Sequence, residues 1–170
     1  LLSNSMSVHR RMAEPWKVTL VDTGEDTLTG GRLKRISNYI DEEESFCLTY
    51  GDGVSNINIT CEIAFHQSHG KLATVAAVQP PGRYGALQIS NSVVTGFTEK
   101  PPGDGGLISG GFFVLSPKCL ELISGDHTSW EEEPLRRLAA MNQLMSFEHL
   151  DFWHPMDTLR DKRFLEDQWN

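Results

Sequence analysis

Short β-type apolar runs alternate along this chain with stretches whose apolar residues recur at helical spacing, the pattern of an α/β domain. Val18 to Val21 and Phe46 to Tyr50 read as strands, and between them Leu33, Ile36 and Ile40 recur as on one helix face. Ile59 to His69 carries Ile59, Ile63 and His66 on one helical face and stops at Gly70, a favourable C-terminal cap. Leu72 to Val78 follows as a strand, then three closely spaced strands, Ala86 to Ile89, Val93 to Glu99 and Gly111 to Leu115. That density implies hairpins and hence a mixed sheet. Glu133 to Asn142 reads as a helix with Pro134 in its first turn, Leu144 to His149 as a strand, and Thr158 to Trp169 as a closing helix. Pro101-Pro102-Gly103-Asp104-Gly105-Gly106 reads as a surface loop, and no repeat or linker interrupts the series. One domain over 1–170 is expected.

Composition narrows the picture. With 170 residues, 39% hydrophobic and 22% charged, the chain can bury one core. Its 23 acidic against 15 basic residues give a formal charge of -8, which argues against a nucleic-acid binder while leaving room for small anionic substrates beside a metal. Cys47, Cys61 and Cys119 lack metal-ligand spacing and sit in apolar-patterned segments, so buried thiols of a cytosolic protein are expected. No run is long enough for a membrane span, and a cytoplasmic protein with no membrane partner is expected.

Four short constellations could carry chemistry, and each has a bland alternative. Asp52 in Tyr50-Gly51-Asp52-Gly53 stands at a strand end, where open α/β sheets place ligands, but Asp-Gly is also an ordinary turn. Asp157 in Pro155-Met156-Asp157-Thr158 could simply cap the closing helix. Together the two carboxylates could share Mg2+, a hard ion that commonly takes one or two carboxylates and completes its shell with phosphate oxygens and water. The pair Glu99-Lys100 before Pro101-Pro102 could hold a phosphate or merely blunt a strand end. Gly110-Gly111, after Ser109, could let a sugar approach bare backbone or mark a bulge. His66, His69, His149 and His154 are too scattered to read as a zinc cluster and are taken as core or exposed histidines.

Taken in order, Pro15-Trp16-Lys17-Val18-Thr19-Leu20-Val21-Asp22-Thr23-Gly24, Gly30-Gly31-Arg32-Leu33-Lys34-Arg35, Tyr50-Gly51-Asp52-Gly53, Pro80-Pro81-Gly82-Arg83-Tyr84-Gly85, Glu99-Lys100-Pro101 and Met156-Asp157-Thr158-Leu159-Arg160-Asp161-Lys162 closely resemble the glucose-1-phosphate cytidylyltransferases. Gly-Asp-Gly and Glu-Lys-Pro are common to many sugar nucleotidyltransferases, whereas the first and fourth stretches point to the cytidylyl branch. The resemblance implies a Rossmann-like nucleotidyltransferase fold with a mixed, mostly parallel central sheet flanked by helices. It also implies a Mg2+-dependent reaction of CTP with α-D-glucose 1-phosphate, giving CDP-glucose and pyrophosphate for surface-polysaccharide dideoxyhexoses, in a homo-oligomer.

Carried over by position, the resemblance implies Asp52 and Asp157 as metal ligands and Arg32 and Lys100 as catalytic cations at the phosphates. Tyr50, Gly51, Glu99, Lys100, Ser109, Gly110 and Gly111 become the substrate-binding set, with Ser109 standing where the family pattern has asparagine. The family's opening strand and Gly-Gly-x-Gly-Thr-Arg loop have no counterpart in the 170 residues, so an N-terminally truncated fold with an open sheet edge is expected. Two other functions stay open: a non-catalytic sugar-phosphate or sugar-nucleotide-binding module, and a sibling enzyme using UTP or dTTP.

Overall fold

The computed structural model describes residues 16–42, 44–82, 86–90, 92–98 and 106–169. In chain order these form α1 (Thr29–Arg35), β1 (Phe46–Thr49), β2 (Gly53–Ser55), α2 (Ile59–His69), β3 (Ala73–Val78), β4 (Ala86–Ser90), β5 (Val93–Thr98), β6 (Ile108–Leu115), α3 (Glu133–Ala140), β7 (Leu144–His149), β8 (Trp153–Pro155) and α4 (Leu159–Trp169). Short 3₁₀ turns follow α1 at Ser37–Tyr39 and β6 at Pro117–Leu122.

The main sheet has four strands in the order β1-β6-β3-β7. It is mixed, as the spacing of strands implies, but the expectation of a mostly parallel sheet is corrected. β6 runs antiparallel to both β1 and β3, and only β3 and β7 are parallel. One reversed strand inside a four-stranded sheet is enough to turn two of its pairings. Among the described residues β1 and β7 are its edges. Two two-stranded ribbons, β2 with β8 and β4 with β5, complete the strand pairing.

Alternation along the strands gives the sheet two unlike faces. Ala73, Phe113 and Leu115 pack with Leu33 of α1, Cys119 and Leu122 of the second 3₁₀ turn, Ile123, Trp130 and Leu138 of α3. The Trp130 and Phe113 rings meet edge to face at 6.1 Å and 83°. Thr74, paired in register with Val114, faces the other way, toward α2. There the buried residues of the helix are Glu62 and His66, not the Ile59, Ile63 and His66 face expected from spacing. Gly70 ends α2 in the left-handed conformation at φ 63°, as the sequence predicts.

Two further expectations are corrected. Val18 to Val21 forms no strand; Val18 and Leu20 are 68% and 82% exposed, because an apolar run becomes a strand only where a neighbour takes its hydrogen bonds. The turn after it does form, with the Gly24 amide donating to Asp22 Oδ1 at 2.9 Å. Of the cysteines only Cys119 is buried, its thiol pushed up to about 12 by burial; Cys47 and Cys61 are exposed. No helix among the described residues is long and apolar enough to cross a membrane.

Candidate active site

The turn Gly51-Asp52 leaves β1 and enters β2, whose antiparallel partner β8 stands just before Met156-Asp157. Gly53 pairs with Pro155, and the ladder is closed by the Met156 amide donating to the Asp52 carbonyl at 2.7 Å. This three-residue ribbon brings two aspartates that are remote in sequence to one place. They line a cavity of about 230 Å³ together with Thr49, Tyr50, Gly53, Ser109, Gly110, Gly111, Glu131, Trp153 and Pro155. A larger apolar groove of about 660 Å³ runs between Val54, Phe152 and α4 and contains neither aspartate.

Asp157 had a simple alternative as a helix cap, but Thr158 occupies that role. Its Oγ1 accepts the Asp161 amide at 3.2 Å, while Asp161 Oδ2 accepts the Thr158 amide at 2.9 Å and hydroxyl at 2.7 Å, a reciprocal capping box. Asp161 also accepts from His154 Nε2 at 3.1 Å, and the Thr158 bonds, with the His154 bond after them, hold its carboxyl below the usual aspartate range. The box sets the cap at Thr158, one residue beyond Asp157, and α4 starts at Leu159.

The glycine pair is required by packing whatever binds. A Cβ on Gly110 would lie 2.7 Å from Val78 Cγ1, and Gly111 has φ +77° with the Tyr50 ring where its Cβ would stand, at 2.8 Å from Cδ2. Trp153 Nε1 donates to the Gly110 carbonyl at 2.8 Å and so ties β8 to β6 across the cavity.

Among the lining residues outside the expected set, Thr49, Gly53, Glu131, Trp153 and Pro155, the one with a charge is Glu131. Thr29 Oγ1 donates to its Oε2 at 2.6 Å, Ser129 Oγ donates to the same oxygen at 2.7 Å, and the Tyr50 hydroxyl donates to Oε1. Burial works to raise the Glu131 pKa, but the bonds from Thr29, Tyr50 and Ser129 outweigh it and hold the carboxyl below its ordinary value. Tyr50 moves the opposite way, raised first by burial and then by its bond to Glu131, so it stays a phenol donor.

The structure thus brings together Tyr50, Asp52, Ser109, Gly110, Gly111 and Asp157, with Gly51 in the same turn. Glu99 and Lys100 lie outside the described residues, as do Arg83 to Gly85 and Pro101 to Gly105. Arg32 is not in the lining; its guanidinium donates to Thr23 Oγ1 at 2.7 Å and to the Glu25 carbonyl at 3.0 Å, bracing the loop before α1. The histidines sit apart from the cavity lining, His66 and His69 on Thr74, His149 on Ser55 and His154 on Asp161. Among the described residues of the lining, Asp52, Asp157 and Glu131 are the carboxyls and no Lys or Arg accompanies them, a set of charges that favours a cation. Among the described residues no group of three or more His, Cys, Asp or Glu is arranged around a metal position. Two hard carboxylates suit an ion that takes its remaining ligands from phosphates and water, and the residues present fit that demand.

The family model for nucleotidyl transferases matches residues 6–158, and the chain belongs to that family of enzymes. Within it, the chain is 55% identical over 169 residues to the glucose-1-phosphate cytidylyltransferase of Salmonella typhi, covering 99% of this chain and 66% of that protein. It is 41% identical over 158 residues to a Bacillus subtilis (strain 168) protein named as a probable glucose-1-phosphate cytidylyltransferase, covering 92% of this chain and 61% of that protein. The chain therefore spans a little under two thirds of the length of these curated relatives. Among solved structures, HddC from Yersinia pseudotuberculosis superposes with a TM-score of 0.60 at 23% identity, over 86% of this chain and 64% of that one, a likeness of fold.

Proposed function

We propose that the protein to which these residues belong is a glucose-1-phosphate cytidylyltransferase, joining CTP and α-D-glucose 1-phosphate into CDP-glucose with release of pyrophosphate. The observation that carries this reading is the convergence of Asp52 and Asp157 on one cavity through the β2 and β8 ribbon. The 55% identity to the Salmonella typhi cytidylyltransferase supports CTP as the nucleotide. The reading takes 1–170 as one partial nucleotidyltransferase domain. It takes the protein to be a cytoplasmic homo-oligomer, supplying precursor for surface-polysaccharide dideoxyhexoses.

In the reaction an oxygen of the glucose 1-phosphate attacks the α-phosphorus of CTP, the bond from that phosphorus to the β-phosphate oxygen breaks, and pyrophosphate leaves with the electron pair. No protein nucleophile takes part. Asp52 and Asp157 would hold Mg2+, whose charge, when it is bound, offsets the negative charge of the phosphates. Lys100 would hold the sugar phosphate and Glu99 the glucose hydroxyls, with Ser109 and the Gly110-Gly111 backbone lying against the ring. Arg32, braced at the loop before α1, would serve the nucleotide phosphates. The work of these groups is to align two mutually repelling anions in line.

Asp52→Asn and Asp157→Asn are each expected to lower pyrophosphate release from CTP and glucose 1-phosphate by roughly 10²–10³, by analogy with loss of one transition-state contact. Far-UV circular dichroism should be unchanged. A folded Asp157→Asn enzyme with wild-type turnover overturns the metal-binding role.

A further inference from the structure

We infer that Glu131 is a positioning residue: its carboxylate joins the first residue of α1 to the end of β1 and so sets Tyr50, and the Gly51-Asp52 turn behind it, against the Gly110-Gly111 backbone. The inference deepens the cytidylyltransferase reading and rests on it.

The start of α1 is already fixed to the segment before Glu131. The Leu28 amide donates to the Asp126 carbonyl at 2.9 Å and the Gly31 amide to the Thr128 carbonyl at 3.2 Å. Thr29 Oγ1 accepts the Trp130 amide at 2.9 Å, which leaves its own proton directed at Glu131 Oε2. Through Glu131 Oε1 this assembly reaches Tyr50, which belongs to a different layer of the fold. Tyr50 in turn lies on bare Gly111 backbone and meets Phe113 edge to face at 6.2 Å and 78°. Phe113 and Gly111 orient the plane of the ring, while the hydroxyl bond fixes how far β1 reaches into the cavity. Asp52, two residues on, is then held from one side by Tyr50 and from the other by the Met156 amide.

The chemistry of the junction calls for a carboxylate. Three hydroxyls donate to it, and an ionised carboxyl offers about four lone-pair sites on two oxygens. Glutamine in its place presents one neutral oxygen and an amide NH2, so a hydroxyl that meets the NH2 can no longer donate and must turn to accept. Because Tyr50 has Oε1 to itself, the charge-assisted bond is lost on the Tyr50 arm, or on the Thr29 and Ser129 arm, and only a neutral bond can replace it.

Two measurements on Glu131→Gln separate this inference from the reading beneath it. Hydrogen exchange needs no ligand: the amides of Gly51, Asp52 and Gly53 are expected to exchange about tenfold faster, the loss of one charge-assisted hydrogen bond, with β3 amides unchanged. Faster exchange confined to 129–132 overturns the inference. In titration with CDP-glucose and Mg2+, the substitution should weaken binding about tenfold in the wild-type background but less than about twofold in Tyr50→Phe, since the effect passes through Tyr50. Equal factors in both backgrounds overturn it. A folded wild-type protein that binds no CDP-glucose sinks the cytidylyltransferase reading alone, and the exchange measurement still decides where the turn is held.

Discussion

The two faces of the central sheet bury their residues by different means. On one, Leu33, Phe113, Leu115, Ile123, Trp130 and Leu138 form an apolar cluster with no charge in it. On the other, α2 buries Glu62 and sets His66 on Thr74, and all three are buried. The apolar face gains free energy from area removed from water and is indifferent to pH. The polar face depends on every donor finding an acceptor, and on which protons are present. Stability of the scaffold beneath the candidate site therefore has a constant part and a proton-dependent part.

The comparison is tested hardest at Trp130, fully buried in the apolar cluster. Trp130→Ala should cost about 3–5 kcal/mol in urea unfolding, equally at pH 8 and pH 6, by loss of transfer free energy and creation of a cavity. A pH-dependent loss would mean that the apolar face carries a titrating group after all. The indole Nε1 has no hydrogen-bond partner among the described residues, which offsets a part of what the ring contributes.

Glu62 gives the next largest effect, of opposite sign. It is 1% exposed, its Oε1 has no hydrogen-bond partner among the described residues, and burial pushes its pKa up to about 7 from 4.5. A folded-state value above the unfolded one means that the fold prefers the protonated acid. Stability from this preference is complete below pH 4.5 and is lost as pH rises through about 7. Glu62→Gln, neutral at every pH, should therefore gain on the order of 3 kcal/mol over the wild type at pH 8, and the gain should vanish at pH 4. An equal difference at both pH values would remove ionisation from the account.

What the sequence made legible follows the same division. Regular elements with strong patterns, β1, β3, β7, α2 and α4, lie within about a residue of their expected positions, because apolar runs and turn residues mark where an element begins and ends, even where, as in α2, the spacing does not tell which side is buried. Val18 to Val21 shows the limit, since strand pattern does not supply a strand partner. The β2 and β8 ribbon was invisible: three residues containing Gly53 and Pro155 carry no periodicity, yet this ribbon is what brings Asp52 and Asp157 together. The aspartates themselves were legible through short motifs shared with a family. Glu131 was not, because Glu131-Glu132-Glu133 before α3 reads as the acidic first turn of a helix, and only the fold sets Tyr50 and Thr29 against it. Buried Glu62 escaped for a related reason, since a carboxylate on a helix is read as part of the solvent face, whereas His66 already stood on the face with Ile59 and Ile63.

The smallest expected effect lies at Thr74, where the polar face can be tested without touching a charge. The Lys71 amide donates to His69 Nδ1 at 2.9 Å, so His69 carries its proton on Nε2 and gives it to Thr74 Oγ1 at 2.8 Å. The one hydroxyl proton of Thr74 then goes to His66 Nδ1 at 2.9 Å, and His66 Nε2 donates to Ser45 Oγ at 3.1 Å. Both imidazoles are neutral in this chain, in keeping with pKa values lowered by burial first, and then by the neighbouring His69 for His66 and by Lys71 for His69. Thr74→Val preserves shape but strands a donor on His69 and an acceptor on His66, at a cost of roughly 1–3 kcal/mol in urea unfolding at pH 7.5. Thr74→Ser, which keeps the hydroxyl, should recover most of that loss. Because the folded pKa values lie below 6.5, the two rings should take stability away as pH falls below that value, opposing the gain from Glu62 in the same range, with their loss complete only below the folded pKa values. If Thr74→Val unfolded at the wild-type urea midpoint, the hydroxyl would not be holding the two rings, and the polar face would owe its order to the apolar side chains around it.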